Sequence, residues 1–473
     1  MLNTRDVHQE NSCFRNPDER SNIPAMIPEA HKLRIALISP KGPLYRHRGG
    51  IFRKGLRIGP LTLTTLASLI PPEIPHTLRI YDEGVEELPA SIDADLVGMT
   101  VITGTAPRAY ELAQRFRAEG KKVILGGPHP TLVPDEAAQH CDCVVTGYAE
   151  ETWPQLLRDL VAGVLRPRYA MSSDFSFQRM ATLPYAKRAL LAGTGYKTVN
   201  AFEATRGCIH SCDFCVVPHA WGKRPFQKPV EHVIDDIRQS GAKRLVFYDL
   251  NLLADFGYAR ELFSALVPLK VKWFGLSTVL LGKDQELMDL CARSGCRGLL
   301  IGFETVSKAG LSYYNKRFNR PEEYGAFVRA LHDRNIMIMG TFVFGNDNDG
   351  LDSFDAARDF ILDHRIDLPR FSIMTPFPGT TLFKRLDHEE RILTRDWSMY
   401  DGQHVVFQPK QLTAAELLYH HERVWKEVYS YRCIARRFRR GMEQLGIVLG
   451  ANLAYRFYSR NLNRFYTCEG GLA

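Results

Sequence analysis

No run of about 18 apolar residues occurs in the chain, so the sequence predicts no membrane-spanning helix. Met1 to Ala30 has no apolar stretch of the kind a secretory signal needs. It reads as a polar lead-in, and the expected compartment is the cytoplasm. There is no G-x-G-x-x-G and no Walker A loop, so the usual nucleotide fingerprints are missing. No internal repeat appears, which argues against a solenoid. Cys-x2-Cys occurs once, whereas a structural zinc site commonly uses two such pairs. A net charge of +8 on 473 residues is too mild to imply nucleic acid. No RNA-binding module accompanies it, so no nucleic-acid partner is expected.

What is present is an alternation of short apolar strands and helices. Strands are predicted at 33–39, 77–81, 96–100, 122–125 and 143–146, with helices at 61–70, 106–119 and 152–162. This pattern predicts an α/β doubly wound parallel sheet, whose ligand site lies beyond the carboxyl ends of its strands. Those ends are rich in Gly, Thr, Ser and His. A second alternation puts strands at 199–204, 244–249, 271–278, 299–304, 336–344 and 369–374. Six β/α units predict a partial TIM-like barrel, with reactive groups again at the carboxyl ends. After Pro409 only helical patterns remain. The expected division is a lead-in at 1–32, a doubly wound domain at 33–165 and a linker at 166–195. A partial barrel follows at 196–410, then a small basic helical region at 411–473.

Ten cysteines are present, and only Cys208, Cys212 and Cys215 are clustered. In a reducing compartment such spacing favours metal or redox chemistry over disulfides. Three thiolates can hold three irons of a cubane and leave the fourth open to a ligand. Zinc is the chemical rival, with His210 or His219 available to complete its ligands. Cys141, Cys143, Cys291 and Cys296 read as small packed hydrophobes.

Cys208-x3-Cys212-x2-Cys215 at the end of a first barrel strand, with Phe214 before the third cysteine, resembles the radical SAM superfamily. The resemblance implies a [4Fe–4S] cluster on these three cysteines. It also implies S-adenosylmethionine (SAM) on the open iron, cleaved to a 5′-deoxyadenosyl radical. By the same resemblance Phe214 lies beside SAM, Asp249 near its amino group, Gly302 and Glu304 near its ribose or methionine, and Gly340 beside the adenine. The family's usual Gly-Gly-Glu is absent, and Tyr248-Asp249-Leu250-Asn251 stands in its place. Met374 to Thr380 resembles the last-strand motif. The match covers about residues 196 to 410.

Gly126-Gly127-Pro128-His129 and Gly147-Tyr148-Ala149-Glu150-Glu151, in a doubly wound domain ahead of such a barrel, resemble the cobalamin-binding members of that superfamily. Gly126, Gly127, Gly147 and Tyr148 would then approach the corrin, with Thr100, Thr103, Gly104 and Thr105 at its amide fringe. Asp6-x-His8 is rejected as a cobalt-ligating motif, and His129 reads as a loop polar group. The alternative is a module that holds no cofactor and only packs on the barrel.

The resemblance implies methyl transfer to an unactivated carbon of a small-molecule substrate, such as an apolar lipid or a secondary metabolite. Cyclisation or oxidation of a tetrapyrrole is the second reading, and a non-enzymatic iron–sulfur sensor or electron carrier the third. An external electron donor such as flavodoxin or ferredoxin is expected. Arg432 to Arg464 holds eight arginines and one acid, Glu443, interleaved with apolar residues. This is compatible with an anionic membrane surface and equally with a solvated helix pair packed on the barrel.

Overall fold

The computed structural model describes residues 32–42, 58–179, 183–191, 193, 195–439 and 441–462. The lead-in at 1–31, part of the 166–195 stretch and residues 463–473 lie outside that range. Ten of the eleven predicted strands lie where the alternation put them, within two residues at each end. The exception is the fourth barrel strand, which starts earlier, at Cys296.

The first sheet contains β1 (Leu33–Ser39), β2 (His76–Asp82), β3 (Leu96–Thr100), β4 (Lys122–Gly126) and β5 (Cys143–Thr146). It gains a sixth strand, β6 (Arg168–Ala170), from the stretch expected to be linker. Only Tyr169 of that strand is buried, so its three residues offered no apolar run to read. All pairs are parallel, in the order β2-β1-β3-β4-β5-β6. The chain reverses its winding between β1 and β3, and that switch opens a crevice at the carboxyl ends.

Burial follows the period of two that a strand imposes. Ala36 and Ile38 face a core layer with Ala109, Leu112 and Phe116 of helix Ala106–Ala118. Ile35 and Leu37 face the other layer, with Leu63, Leu156 and Leu157. Both faces are covered, as an all-parallel sheet requires.

The second sheet runs β14-β13-β12-β11-β10-β7, also parallel, from β7 (Ala201–Phe202) through β10 (Arg244–Phe247), β11 (Lys272–Ser277), β12 (Cys296–Glu304), β13 (Met337–Phe344) and β14 (Arg370–Ile373). Between β7 and β10 a short antiparallel pair forms, β8 (Thr205–Arg206) with β9 (Phe226–Gln227). Leu299, Ile301 and Phe303 of β12 and Ile338, Phe342 and Phe344 of β13 join the core under the helices. Leu300, Gly302, Met339 and Thr341 point to the opposite, half-open face. Cys141, Cys143, Cys291 and Cys296 are all buried.

Among the described residues three helices follow, at Ala414–Val428, Tyr431–Arg437 and Leu445–Arg460. Arg437, in the densest basic stretch, is an internal staple and not a surface charge. It donates to the carbonyls of Ile366 and Asp367 at 3.0 and 2.8 Å and to Asn452 Oδ1 at 2.8 Å. No helix among the described residues is long and apolar enough to cross a membrane.

Candidate functional site

The carboxyl ends of the two sheets face each other. Pro128–Leu132, which follows β4, packs on Val217–Ala220, just after Cys215. A Cβ on Gly379, beyond β14, would lie 3.2 Å from Leu132. Trp397 donates to Glu136 at 2.8 Å. Glu136 also accepts from Tyr110 at 2.9 Å, and His129 lies 3.0 Å from that hydroxyl. His129 is fully buried in this network on a short helix, and so is not a loop group.

The cysteine loop is pinned from several sides. Asp213 N donates to Tyr314 O at 3.1 Å, and Leu382 N donates to Asp213 O at 2.9 Å. Asn315 donates to Ser211 O at 3.0 Å, and Arg385 pairs with Asp213 at 3.1 Å. Gly207 enters the loop with φ +82°, and a Cβ there would sit 2.5 Å from the Arg224 carbonyl. Only glycine fits that approach.

Burial pushes the pKa of Cys212 up to about 12 and that of Cys215 up to about 11, while Lys316 pulls both back. The neighbouring thiols add to these shifts, Cys208 and Cys215 raising the first and Cys208 the second. Asn251 donates to Cys208 Sγ at 3.6 Å. Among the described residues no group of three His, Cys, Asp or Glu could hold a single metal ion. A cubane needs no such convergence, because each thiolate meets a different iron. Three thiols on one pinned loop at the sheet's carboxyl end therefore fit a cluster. His219 Nε2 accepts from Thr381 N at 3.3 Å, and His210 stacks on Phe318 at 3.8 Å, with burial pushing it down to about 4.

Beside the loop, β12 ends in strain. Glu304 has φ +63°, rare for a residue with a side chain. Its carboxylate pairs with the Lys316 ammonium, both nearly buried, and Lys316 also donates to Gly302 O at 3.0 Å. A Cβ on Gly302 would lie 2.8 Å from Lys316 Nζ and closer still to Glu304. Gly302 is therefore the space into which this ion pair folds. Nothing in the sequence singled out Lys316, which stands 12 residues beyond Glu304. Phe214 sits edge-on to Tyr314, 5.2 Å between centroids.

Gly340, Asp249 and Tyr148 come out differently from expectation. Gly340 shares its face of β13 with Ile338 and Phe342, so it packs under the helices against Ile366 and Phe303, away from the open face. Asp249 is buried and spends its carboxylate on Ala204 N, at 3.1 Å, and on Thr205 N. It anchors the strand leading into the cysteine loop and is not free to meet an amino group. Tyr148 lies in an aromatic cluster, stacked on Trp221 at 5.7 Å and edge-on to Phe226 at 5.2 Å.

Burial and then Glu203 push the Asp249 carboxyl up to about 7, against the donors of Ala204 and Thr205. Between its usual 3.8 and about 7 the folded chain holds a proton there that the unfolded chain releases. This group's contribution to stability therefore falls as pH rises through that window and is flat above it. Asp249→Asn is expected to flatten that slope. Urea midpoints taken at about pH 5 and about pH 8 check it, and an unchanged slope in the variant refutes the assignment.

On the first sheet, Gly127 has φ +103°, and its Cβ would stand 2.9 Å from both Val101 N and Val101 O and 3.2 Å from Thr100 Oγ1. Gly147 has φ +77°, and its Cβ would meet Met171 at 2.6 Å. A Cβ on Gly42 would lie 3.4 Å from Gly104 O, closing the turn after β1 onto the turn after β3. A Cβ at any of the three would collide with the neighbouring turn, so glycine lets these turns close on one another and leaves bare backbone at the end where a doubly wound sheet takes its ligand, which fits a large flat group. Thr103 and Thr105 are buried, and Thr105 spends its hydroxyl on Ile102 O at 3.0 Å. The Thr103 hydroxyl lies 3.4 Å from His129 Nδ1, so both threonines turn inward and not toward a ligand.

Residues 69–157 match the B12 binding domain family and residues 202–361 the radical SAM superfamily. The chain is 35% identical over 359 residues to the bacteriochlorophyllide d C-12(1)-methyltransferase of Chlorobaculum tepidum, covering 72% of this chain and 76% of that protein. It is 30% identical over 397 residues to the C-8(2)-methyltransferase of the same organism, covering 80% of this chain and 87% of that protein. The solved structure of OxsB with aqua-cobalamin and SAM bound shares the fold, with TM-score 0.66 at 14% identity over 92% of this chain and 72% of that chain.

Proposed function

The chain belongs to the cobalamin-dependent radical SAM methyltransferases, and on that premise we propose that it methylates an unactivated carbon of a large, mostly apolar substrate, a tetrapyrrole ring being the favoured class. The observation that carries this reading is the meeting of the two carboxyl ends, with the three cysteines on one and the close-packed glycine turns on the other. The names of the two bacteriochlorophyllide relatives support the substrate class. So do four outward-facing apolar side chains at these ends, Ile102 after β3, Ile209 in the cysteine loop, and Tyr248 and Leu250 after β10.

When bound, the cluster and SAM supply a hydrogen-abstracting radical and the corrin supplies the methyl group. Cys208, Cys212 and Cys215 hold the cluster. Lys316 and Glu304 present one charge of each sign beside it, matched to the carboxylate and amino group of SAM. Gly126, Gly127 and Gly147, with Thr100 and Gly104, admit the corrin. Ile102 and Ile209 offer apolar surface to the substrate there.

A one-electron donor such as flavodoxin or ferredoxin fits the need for reducing equivalents, and a reducing cytoplasm keeps the thiols free. The C-terminal region supports a peripheral contact with an anionic membrane. Helix Leu445–Arg460 turns Leu445, Ile447, Leu449, Leu453 and Phe457 outward and contains no acid, with exposed Arg432, Arg436 and Arg460 nearby. The helix packs at the amino-terminal end of β13 and β14 through Val448, Met337 and Leu368, so this contact leaves the cofactor end turned away from the lipid.

The reading is tested with full-length protein loaded anaerobically with iron, sulfide and hydroxocobalamin, then given SAM, a reductant and bacteriochlorophyllide d. The expected products are 5′-deoxyadenosine and a pigment heavier by one methylene. A pigment lighter by two hydrogens would replace methyl transfer with cyclisation or oxidation. Failure to bind any corrin would remove both.

A further inference from the structure

A run of four charged side chains bridges the two halves of the molecule beside the cysteine loop. Arg206 Nη1 lies 2.6 Å from Glu150 Oε1, and Arg206 Nε lies 2.6 Å from Glu203 Oε2. Lys228 Nζ completes the run, 3.2 Å from Glu203 Oε2. Glu150 is 2% exposed and the other three side chains 13–14%. The Arg206 guanidinium stands 4.8 Å from the Tyr148 ring centroid and 5.3 Å from that of Phe177. Glu150, at one end of this run, lies three residues past Gly147, beyond the carboxyl end of β5. Its partner Arg206 lies two residues before Cys208.

We propose that Glu150, Arg206, Glu203 and Lys228 form a buried ionic clamp that sets the position of the corrin-side loop after β5 against the cysteine loop. It rests on the reading above, in which the two loops carry the two cofactors. Two acids and two bases make the clamp neutral. A buried ion pair adds little stability over an apolar contact of the same volume, because desolvation offsets the Coulombic gain. What it adds is direction. The guanidinium presents its N–H groups in a fixed planar fork, so two carboxylates from different domains are held at set angles. The aromatic walls of Tyr148 and Phe177 exclude water and keep that attraction unscreened. An apolar contact could slide, and this one cannot slide without exposing an unpaired charge. Radical chemistry between two cofactors on separate domains depends on their separation, and short displacements cost large factors in rate. Arg206 and Glu150 are thus positioning residues, acting through the two loops and touching neither cofactor.

The test begins with the chain free of cofactors. Hydrogen–deuterium exchange is followed in wild type, Glu150→Gln and Arg206→Met. In both variants residues 146–152 and 203–208 are expected to lose protection together, by at least about tenfold, while β1 and β12 keep theirs. Loss confined to the mutated loop would overturn the clamp, and so would global loss in Glu150→Gln, which would mark a folding role alone. The same variants are then loaded with cluster and cobalamin and reduced with an external one-electron reductant to the paramagnetic [4Fe–4S]+ and cob(II)alamin states. Dipolar coupling between the two should give a narrow distance distribution in wild type and a broader one in each variant, with Arg206→Lys intermediate. Equal distributions would overturn the proposal. Because the exchange experiment needs no cofactor, a chain that bound no corrin would refute the functional reading and leave the clamp to be judged on exchange.

Discussion

Replacing Cys212 by alanine is expected to drop reconstituted iron from about four per chain to below about one, and to reduce 5′-deoxyadenosine release to background. Cys212 is the most buried of the three cysteines, at 8% exposed. Its carbonyl accepts Cys215 N at 3.0 Å, so the two thiols share one turn. A cubane held by two thiolates has two open irons and no fixed orientation toward SAM. The loop itself should survive the change, because Tyr314, Asn315, Leu382 and Arg385 hold it independently of the sulfur. Circular dichroism should therefore match wild type while the absorbance of the cluster disappears. Cys208→Ala and Cys215→Ala should behave alike. If a triple variant still released 5′-deoxyadenosine, another ligand set would hold the cluster.

Lys316→Met is expected to destabilise the fold by about 3–5 kcal/mol, the usual cost of leaving one partner of a buried ion pair alone. The Glu304 carboxylate would stay beneath the surface with only the weak 3.4 Å contact from Thr341. Lys316→Met with Glu304→Gln should recover most of that loss, since removing both charges is close to neutral. The two variants separate stability from function. If Lys316 and Glu304 meet the charged ends of SAM, the double variant folds but binds SAM weakly, read by equilibrium dialysis with the cluster in place. Full SAM affinity in the double variant would confine the pair to a structural role. The left-handed backbone of Glu304 adds to the argument, because strain of that kind persists where surrounding contacts impose it.

Strand positions were legible because parallel strands buried on both faces are short apolar runs, as in Leu33–Ser39 and Leu96–Thr100. β6 and the pair β8–β9 were not, since two or three residues hold no period. The cysteine loop was legible because its chemistry depends on local spacing. Gly126-Gly127 and Gly147 were legible for a related reason, as glycines at strand ends mark close backbone approach.

The misplaced contacts share one cause. Gly340 and Asp249 lie in segments that match a motif, but which way a side chain points depends on the register of its strand and on what packs above it. Gly340 falls on the helix-covered face, and Asp249 is captured by the backbone of the neighbouring strand. Lys316 and Arg206 gave no signal at all. One is 12 residues from its carboxylate and the other 56 from Glu150, and no local pattern encodes such pairs.

The sequence by itself determined two α/β halves and a three-thiol loop able to leave one iron open, because spacing and periodicity are properties of the chain. Only the tertiary structure decided that the two carboxyl ends meet, that Lys316 folds over Gly302, and that Arg206 reaches Glu150 across the domains. Those are contacts between residues far apart in the chain, and burial in a low-dielectric interior is what gives their charges effect.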